Sequence, residues 1–351
     1  MGLFGSKSGT IGLDIGADSV KATELSMGKD SFRLTTYGMI GLPQGTIQQS
    51  EIANPSELVT ALKELKKKTK MNTNNVVVGI SGPNVIVKNI VMTYMSPEEL
   101  ENQIYWEAEQ FIPMNIDEVN LDYAVLGQPK PEDAQMDVVL VAAKKDFVNS
   151  YVDVVTQAGL NPVVVDIAAF ALENMYAVNY PTYPDQTVIL ADIGAQQIKL
   201  IVLDGGLNVF SRDINLGGAV FTEEIRNQLG VSFEEAENLK MGGGSQEIPV
   251  EVQDILTSVS QTFASEIQRS LDFYLASSSN NPIKSIYLSG GGSLTPGLPQ
   301  VISERTSFPV ELVNPFARIE YSEKQFSAES IHTLGPIAAT SVGLALRSKD
   351  D

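Results

Sequence analysis

The stretch IGLDIGADSVKATELS, residues 11–26, reads as an apolar strand that ends in an acidic residue, turns on a glycine and leaves as a second strand. An aspartate at the end of a buried strand is costly unless something uses it. Gly16 lets the backbone turn where a side chain would clash, and the small Ala17 keeps the approach open. Successive N–H groups around such a turn form a concave anion site, and phosphate is its natural occupant.

The same pattern returns at residues 189–210, ILADIGAQQIKLIVLDGGLNVF. Asp14 aligns with Asp192, Gly16 with Gly194, Ala17 with Ala195, Lys21 with Lys199 and Phe32 with Phe210. Each copy reads as strand, tight turn, strand, then a glycine-bearing turn into a third strand. One copy alone is equally an ordinary hairpin signal. Two copies half a chain apart predict two similar α/β halves whose turns face one cleft. Asp14 and Asp192 would repel phosphate directly, so they read as holders of a hydrated Mg²⁺, an ion that keeps several waters and takes few protein carboxylates. A third element, IKSIYLSGGGSLTPGLPQVI at residues 283–302, runs a strand into Gly290, Gly291 and Gly292, with a helix expected from Leu298. No phosphate loop of the Gly-x-x-x-x-Gly-Lys-Ser/Thr kind is present, nor a Gly-x-Gly-x-x-Gly fingerprint.

At 351 residues the chain is too long for one small core. Its net charge of −19 argues against a broad nucleic-acid or anionic-lipid surface. There is no cysteine, which removes disulfide and thiolate chemistry and suits the cytosol. No apolar run approaches the roughly 18 residues of a membrane span, and the amino terminus has no secretory apolar centre. Its MGLFGS start matches a short acylation pattern, Gly2 with Ser6, that arises often by chance. The lysine run KKKTK, residues 66–70, reads as a solvated helix end.

Taken in order, the two turns and the triple glycine resemble the actin/Hsp70/sugar-kinase ATPase superfamily. The implied fold is α/β: an actin-like, ribonuclease-H-like, duplicated two-lobed ATPase fold. The resemblance makes Gly16, Ala17, Asp18, Ser19 and Lys21 the first phosphate motif and Gly194, Ala195, Gln196 and Gln197 the second. It makes Gly290, Gly291, Gly292 and Leu294 the adenosine motif, with ATP and Mg²⁺ as cofactors and Asp14 and Asp192 on the metal through water. VVVDIAAFALEN (163–174) and LGPIAATSVGLAL (334–346) resemble the two connecting helices, and Gly335, Ala338, Ala339 and Gly343 would permit their close crossing. In bacterial actin relatives a Gly-Gly pair lies near the phosphates and an Ala-Glu-x-x-Lys element meets ribose and adenine. The matching residues are Gly217, Gly218, Glu237 and Lys240; without the resemblance, Glu237 and Lys240 read as a solvated helical pair.

Residues 95–127, MSPEELENQIYWEAEQFIPMNIDEVNLDYAVLG, are more particular. Ser96, Pro97 and Glu99 form a capping box, and Leu100, Ile104, Ala108 and Phe111 share one face. With WEAEQFIP followed by EVNLDY, the chain resembles the type IV pilus assembly PilM family, itself similar to FtsA. That resemblance implies an inserted FtsA-like 1C subdomain at 75–159. Subdomain 1A would be 8–74 with 160–184, 2A would be 185–215 with 283–351, and 2B would be 216–282. It also implies a cytoplasmic protein, recruited to the inner face of the inner membrane by the N-terminal cytoplasmic peptide of PilN. Other inner-membrane platform proteins, motor ATPases and self-association follow from the same resemblance, without nucleic acid or direct membrane insertion. A nucleotide-binding scaffold with at most slow hydrolysis is the expected function. The alternatives are an FtsA-like membrane-associated filament former, disfavoured because the chain ends GLALRSKDD after the second connector, and an active phosphotransferase. Asp166 is the nearest candidate to orient an attacking oxygen, and its other reading is a helix cap. Trp106 is expected in a core, its other reading being that it lines the groove for the PilN peptide, and His332 reads as structural.

Overall fold

In this computed structural model, residues 10–28, 31–127, 129–242, 248–277 and 281–347 are described. The acylation pattern at residues 1–6 lies outside them. Strands β1 (Ile11–Ile15), β2 (Ser19–Met27) and β3 (Phe32–Gly41) form the expected antiparallel ribbon. A short hairpin, β4 (Ile47–Gln48) with β5 (Glu51–Ile52), leads into α1 (Pro55–Thr69) and β6 (Asn75–Ile80). Next come β7 (Val85–Thr93), α2 (Pro97–Glu109), β8 (Val119–Val125), β9 (Gln135–Lys144), α3 (Lys145–Gln157), β10 (Asn161–Ile167) and α4 (Ala168–Asn179). The second half holds β11 (Thr187–Ile193), β12 (Ile198–Asp204), β13 (Leu207–Ile214), α5 (Ala219–Leu229), α6 (Phe233–Lys240), α7 (Val250–Ser277) and β14 (Ile283–Ser289). It ends with α8 (Leu298–Thr306), β15 (Val310–Leu312), β16 (Ile319–Glu320) and α9 (Ala328–Ala345).

The sequence repeat is a repeat of topology. The first sheet runs β10-β6-β1-β2-β3-β16 and the second β13-β12-β11-β14-β15. In both, three antiparallel strands come first and two parallel strands are added beside the strand that ends in aspartate. Parallel strands need crossovers, and helices supply them on the sheet faces. One core gathers β1, β6, α1 and α3; a second gathers β11, β12, β14 and helices α5 to α8. A third core joins the lobes through α4, α9 and the inner faces of both sheets.

Several sequence expectations change. The insertion was expected at 75–159, but β6 is central in the first sheet, parallel to both β1 and β10. After Asn75 its sequence NVVVGI is apolar, and those last five residues are buried, as a central parallel strand requires. α3 likewise buries Phe147, Tyr151, Val154 and Val155 in the first-lobe core. The inserted unit is therefore 85–144, a three-stranded sheet β7-β9-β8 with α2 packed on it. Second, the first connector was expected as a helix from 163, yet 163–167 belong to β10, because the β-branched run Val163, Val164, Val165 favours a strand. Third, Trp106 is 72 % exposed: the buried stripe of α2 is Leu100, Ile104 and Ala108, and position 106 points away from it beside exposed Tyr105. In addition β16, from the segment assigned to 2A, pairs with β3 of the first lobe, and helices α5 to α7 share the second-lobe core rather than forming one of their own.

The connecting helices cross as their small residues predict. A Cβ on Gly343 of α9 would overlap the Ala171 carbonyl of α4, and one on Gly12 of β1 would overlap the Ser341 carbonyl of α9. A buried Thr23 Oγ1–Ser341 Oγ hydrogen bond of 2.7 Å fixes α9 on β2.

Candidate functional site

The two aspartate-bearing strands end at one cleft between the lobes. Its cavity is about 300 Å³, at the lower end of the range for small-molecule sites. The two turns are built alike: Gly16 N donates to Ser19 O at 3.0 Å and Gly194 N to Gln197 O at 2.9 Å. Across each ribbon the aspartate stands opposite a lysine in register, Asp14 opposite Lys21 and Asp192 opposite Lys199. The resulting ion pairs measure 3.0 Å and 3.3 Å. Ser289 Oγ, at the end of β14, donates to Asp192 Oδ1 at 2.9 Å.

The electrostatics of the two halves are joined. Burial opposes the charge on Lys199, but Asp192, Asp14 and Asp213 more than reverse this, so its pKa lies above the ordinary lysine value. Asp14 acts there from the opposite lobe. Among the described residues, no group of three or more His, Asp or Glu could hold a metal directly. Two carboxylates, each already paired with a lysine, make no dry protein cage; they suit a cation that keeps its own water.

The far wall comes from β14 and the helices of the second lobe. Gly290 is left-handed, φ 80°, and its N–H donates to Pro336 O of α9 at 2.8 Å. A Cβ on Gly290 would overlap Ile193 O and lie 2.9 Å from Asp192 Oδ1, whereas Gly291 faces open space. α5 starts against the second turn: Gly218 N donates to Gly194 O at 2.8 Å and Ala219 N to Ala195 O at 2.9 Å. Its positive end is thereby directed at the cleft. Lys240 is buried and donates to Glu237 at 2.7 Å and to Thr222 Oγ1 at 3.0 Å; Thr222 Oγ1 also donates to Glu237. Only the glutamate of this trio is substantially open.

The cavity thus brings together Asp14, Gly16, Ala17, Asp18, Ser19 and Lys21 of the first turn with Asp192, Gly194, Ala195, Gln196 and Gln197 of the second. Gly218, Glu237, Lys240, Gly290, Gly291, Gly292 and Leu294 line it as well. Gly217 does not; it packs behind the turn, where a Cβ would overlap Ala195 O. Asp166 does not either. It is the penultimate residue of β10, accepts from Ile167 N at 2.8 Å and pairs with Arg347 at 3.5 Å. Burial raises its pKa against the opposing pull of Arg347. It is neither at the cavity nor the cap of α4, whose N-cap is Ile167. His332 is exposed on α9. Sequence reasoning passed over Lys199, although the repeat aligns it with Lys21, and Phe233, Met241, Ile337 and Thr340, which carry no motif.

A cleft gripped by two copies of one hairpin is the arrangement of the actin-like fold, and known proteins agree. The chain superposes on a chain of the PilM-PilN type IV pilus biogenesis complex with a TM-score of 0.85 and 30 % identity, over 96 % of this chain and 98 % of that one. EutJ, an ethanolamine utilization protein from Carboxydothermus hydrogenoformans, gives a TM-score of 0.60 at 14 % identity, covering 97 % of this chain and 89 % of that one. MreB5 of Spiroplasma citri bound to ADP gives 0.54 at 14 %, covering 96 % and 95 %; both likenesses show the fold alone. In sequence, the cell division protein FtsA of Bacillus subtilis (strain 168) is 23 % identical over 286 residues, 73 % of this chain. The chain spans 64 % of that relative's length. No described helix is long and apolar enough to cross a membrane. The model of the type IV pilus assembly protein PilM family matches residues 12–349, and with this cleft and this fold the chain belongs to that family.

Proposed function

We propose that the chain is an ATP-binding scaffold of type IV pilus assembly, in which Mg²⁺–ATP sets the relation of the two lobes and that relation governs capture of the N-terminal cytoplasmic peptide of PilN. It would work at the cytoplasmic face of the inner membrane. The observation that carries this reading is the single cleft lined by both hairpins, with a lysine on each aspartate. Backbone N–H groups of the two turns would hold the triphosphate, Lys21 and Lys199 would offset its charge, and Asp14 and Asp192 would receive the waters of Mg²⁺. Glu237 and Lys240 would meet the ribose, and Gly290 to Gly292 the base. Kinship with a chain of a PilM-PilN complex supports the partner.

Slow hydrolysis fits the same cleft. Turnover needs a group that orients the attacking water. Asp166 lies off the cavity, and the side chains of Gln196 and Gln197 bond to the opposite lobe. The test is calorimetric titration of ATP with and without Mg²⁺ into the chain and into an Asp14→Ala/Asp192→Ala variant, paired with capture by an immobilised PilN tail peptide. Metal-dependent ATP affinity should be lost in the variant, and capture should differ with and without ATP. Unchanged affinity in the variant, or turnover of several ATP per second by the chain alone, would refute the reading.

A further inference from the structure

The second-lobe turn makes contacts that a phosphate does not require. Gln196 Oε1 accepts from Gln49 N at 3.0 Å, and its Nε2 donates to Ile47 O at 3.0 Å. Gln197 Nε2 donates to Ser50 Oγ at 3.0 Å and to Ser81 Oγ at 3.4 Å. All of these partners belong to the first lobe, and three of the four lie in the β4–β5 hairpin. That hairpin turns on Gln49, φ 49°, and Ser50, φ 67°. Two consecutive left-handed residues make a primed turn, which normally takes Asn-Gly. Neither residue here is glycine, so the turn depends on its contacts to hold its shape.

The other side of the hairpin is tied to the root of the inserted unit. Tyr151 OH, on α3, donates to Ser50 O at 2.6 Å. Asn84 Nδ2 donates to Glu51 Oε1 at 2.8 Å, and Asn84 O accepts from Lys144 N at 3.1 Å. Asn84 directly precedes β7 and Lys144 closes β9, so the chain enters and leaves the inserted unit beside this residue. The approach is close: Gly82 is left-handed, φ 101°, and a Cβ there would lie 2.5 Å from Ser50 Oγ.

We propose that the β4–β5 hairpin is a clasp that transmits the position of the second-lobe turn to the inserted unit. A shift of Gln196 and Gln197 toward a bound phosphate displaces Ser50 and Glu51, and these repack Tyr151 and Asn84 at the root. The clasp rests on the nucleotide reading above and adds the route by which the cleft regulates the insert. The test is hydrogen exchange on the full chain with and without Mg²⁺–ATP, with ATP affinity measured separately by calorimetry. In the unmodified protein, nucleotide should change exchange both at 47–52 and at the root, 81–87 and 142–151. A Glu51→Ala/Asn84→Ala variant, at residues off the cavity, cuts the hairpin from the entry to the inserted unit and should bind ATP within about threefold. It should keep the change at 47–52 and lose it at 81–87. Tyr151→Phe alone keeps the ring packed on Phe147 and should weaken the root response. A root response in both variants equal to that of the unmodified protein overturns the clasp, as does ATP binding with no change at 47–52. Absence of ATP binding to the unmodified protein would instead refute the nucleotide reading, and the clasp with it.

Discussion

Gly343→Ala tests the helix crossing on which the cleft depends. The added Cβ would overlap the Ala171 carbonyl and sit 2.9 Å from the α-carbon of Ala171. Carbon pairs settle at about 3.5–4.0 Å, so this one pair of carbons already demands an opening of roughly 0.6 Å between α4 and α9. The obstacle is backbone, which cannot swing aside as a side chain would. Overpacking of this kind costs about 1–3 kcal/mol or more, against a gain of ~1 kcal/mol from replacing glycine inside a helix. A net loss of ~2 kcal/mol is expected. Spread over a chain of 351 residues, that lowers the thermal midpoint by ~3 °C if the whole chain unfolds together. Scanning calorimetry and urea titration measure it. Gly41→Ala, where an added Cβ meets nothing within 4 Å, is the control and should leave stability unchanged within about 0.5 kcal/mol. The crossing is wrongly assigned if Gly343→Ala is as stable as the parent while the control behaves as expected.

Glu173, on α4, is half-buried against Asn208, with the charge of Asp166 nearby, and its pKa is pushed up to about 7, loss of solvent being the main cause. The folded chain therefore holds a proton that the unfolded chain releases near 4.5, so stability falls as pH rises through that window, by ~3 kcal/mol in full. Glu173→Gln should flatten this slope, gaining stability over the parent at pH 8 and little at pH 5; equal pH profiles in urea titrations would contradict it. Asp192→Asn leaves half-buried Lys199 with the more distant Asp14 and Asp213, and should cost ~2 kcal/mol. A neutral result would mean that the pair contributes nothing. Trp106, the sole tryptophan, should emit as a water-exposed indole and be quenched readily by acrylamide; shielded emission would place it in a core after all.

Much of the site was legible because it is carried by short-range pattern. A strand that ends in Asp-Ile-Gly-Ala and leaves through a lysine states its turn, its register and its glycine requirement within ten residues, and its repetition states the two lobes. The parts that were misread depend on neighbours the sequence does not name. NVVVGI reveals a buried strand, but nothing local says that it pairs with β1 rather than with β9. The run Val163 to Val165 was itself a strand signal, outweighed by the helical pattern that follows it. Asp166 sits one residue from α4 but turns toward Arg347, a partner 181 positions away. The residue type of Trp106 points to a core, whereas its helical phase sets it off the Leu100–Ile104–Ala108 stripe. Ser50, Ser81 and Tyr151 bear no motif, and only folding brings Ser50 and Ser81 to Gln197 and Tyr151 to Ser50.

Both hairpins, one from each lobe, are held to serve a single nucleotide. Calorimetric titration of Mg²⁺–ATP into the chain and into the separate Gly16→Val and Gly194→Val variants tests this most directly. One ATP per chain, with affinity lowered at least ~10-fold by either substitution alone, is the predicted result. Two ATP per chain, or full affinity in either variant, would contradict it.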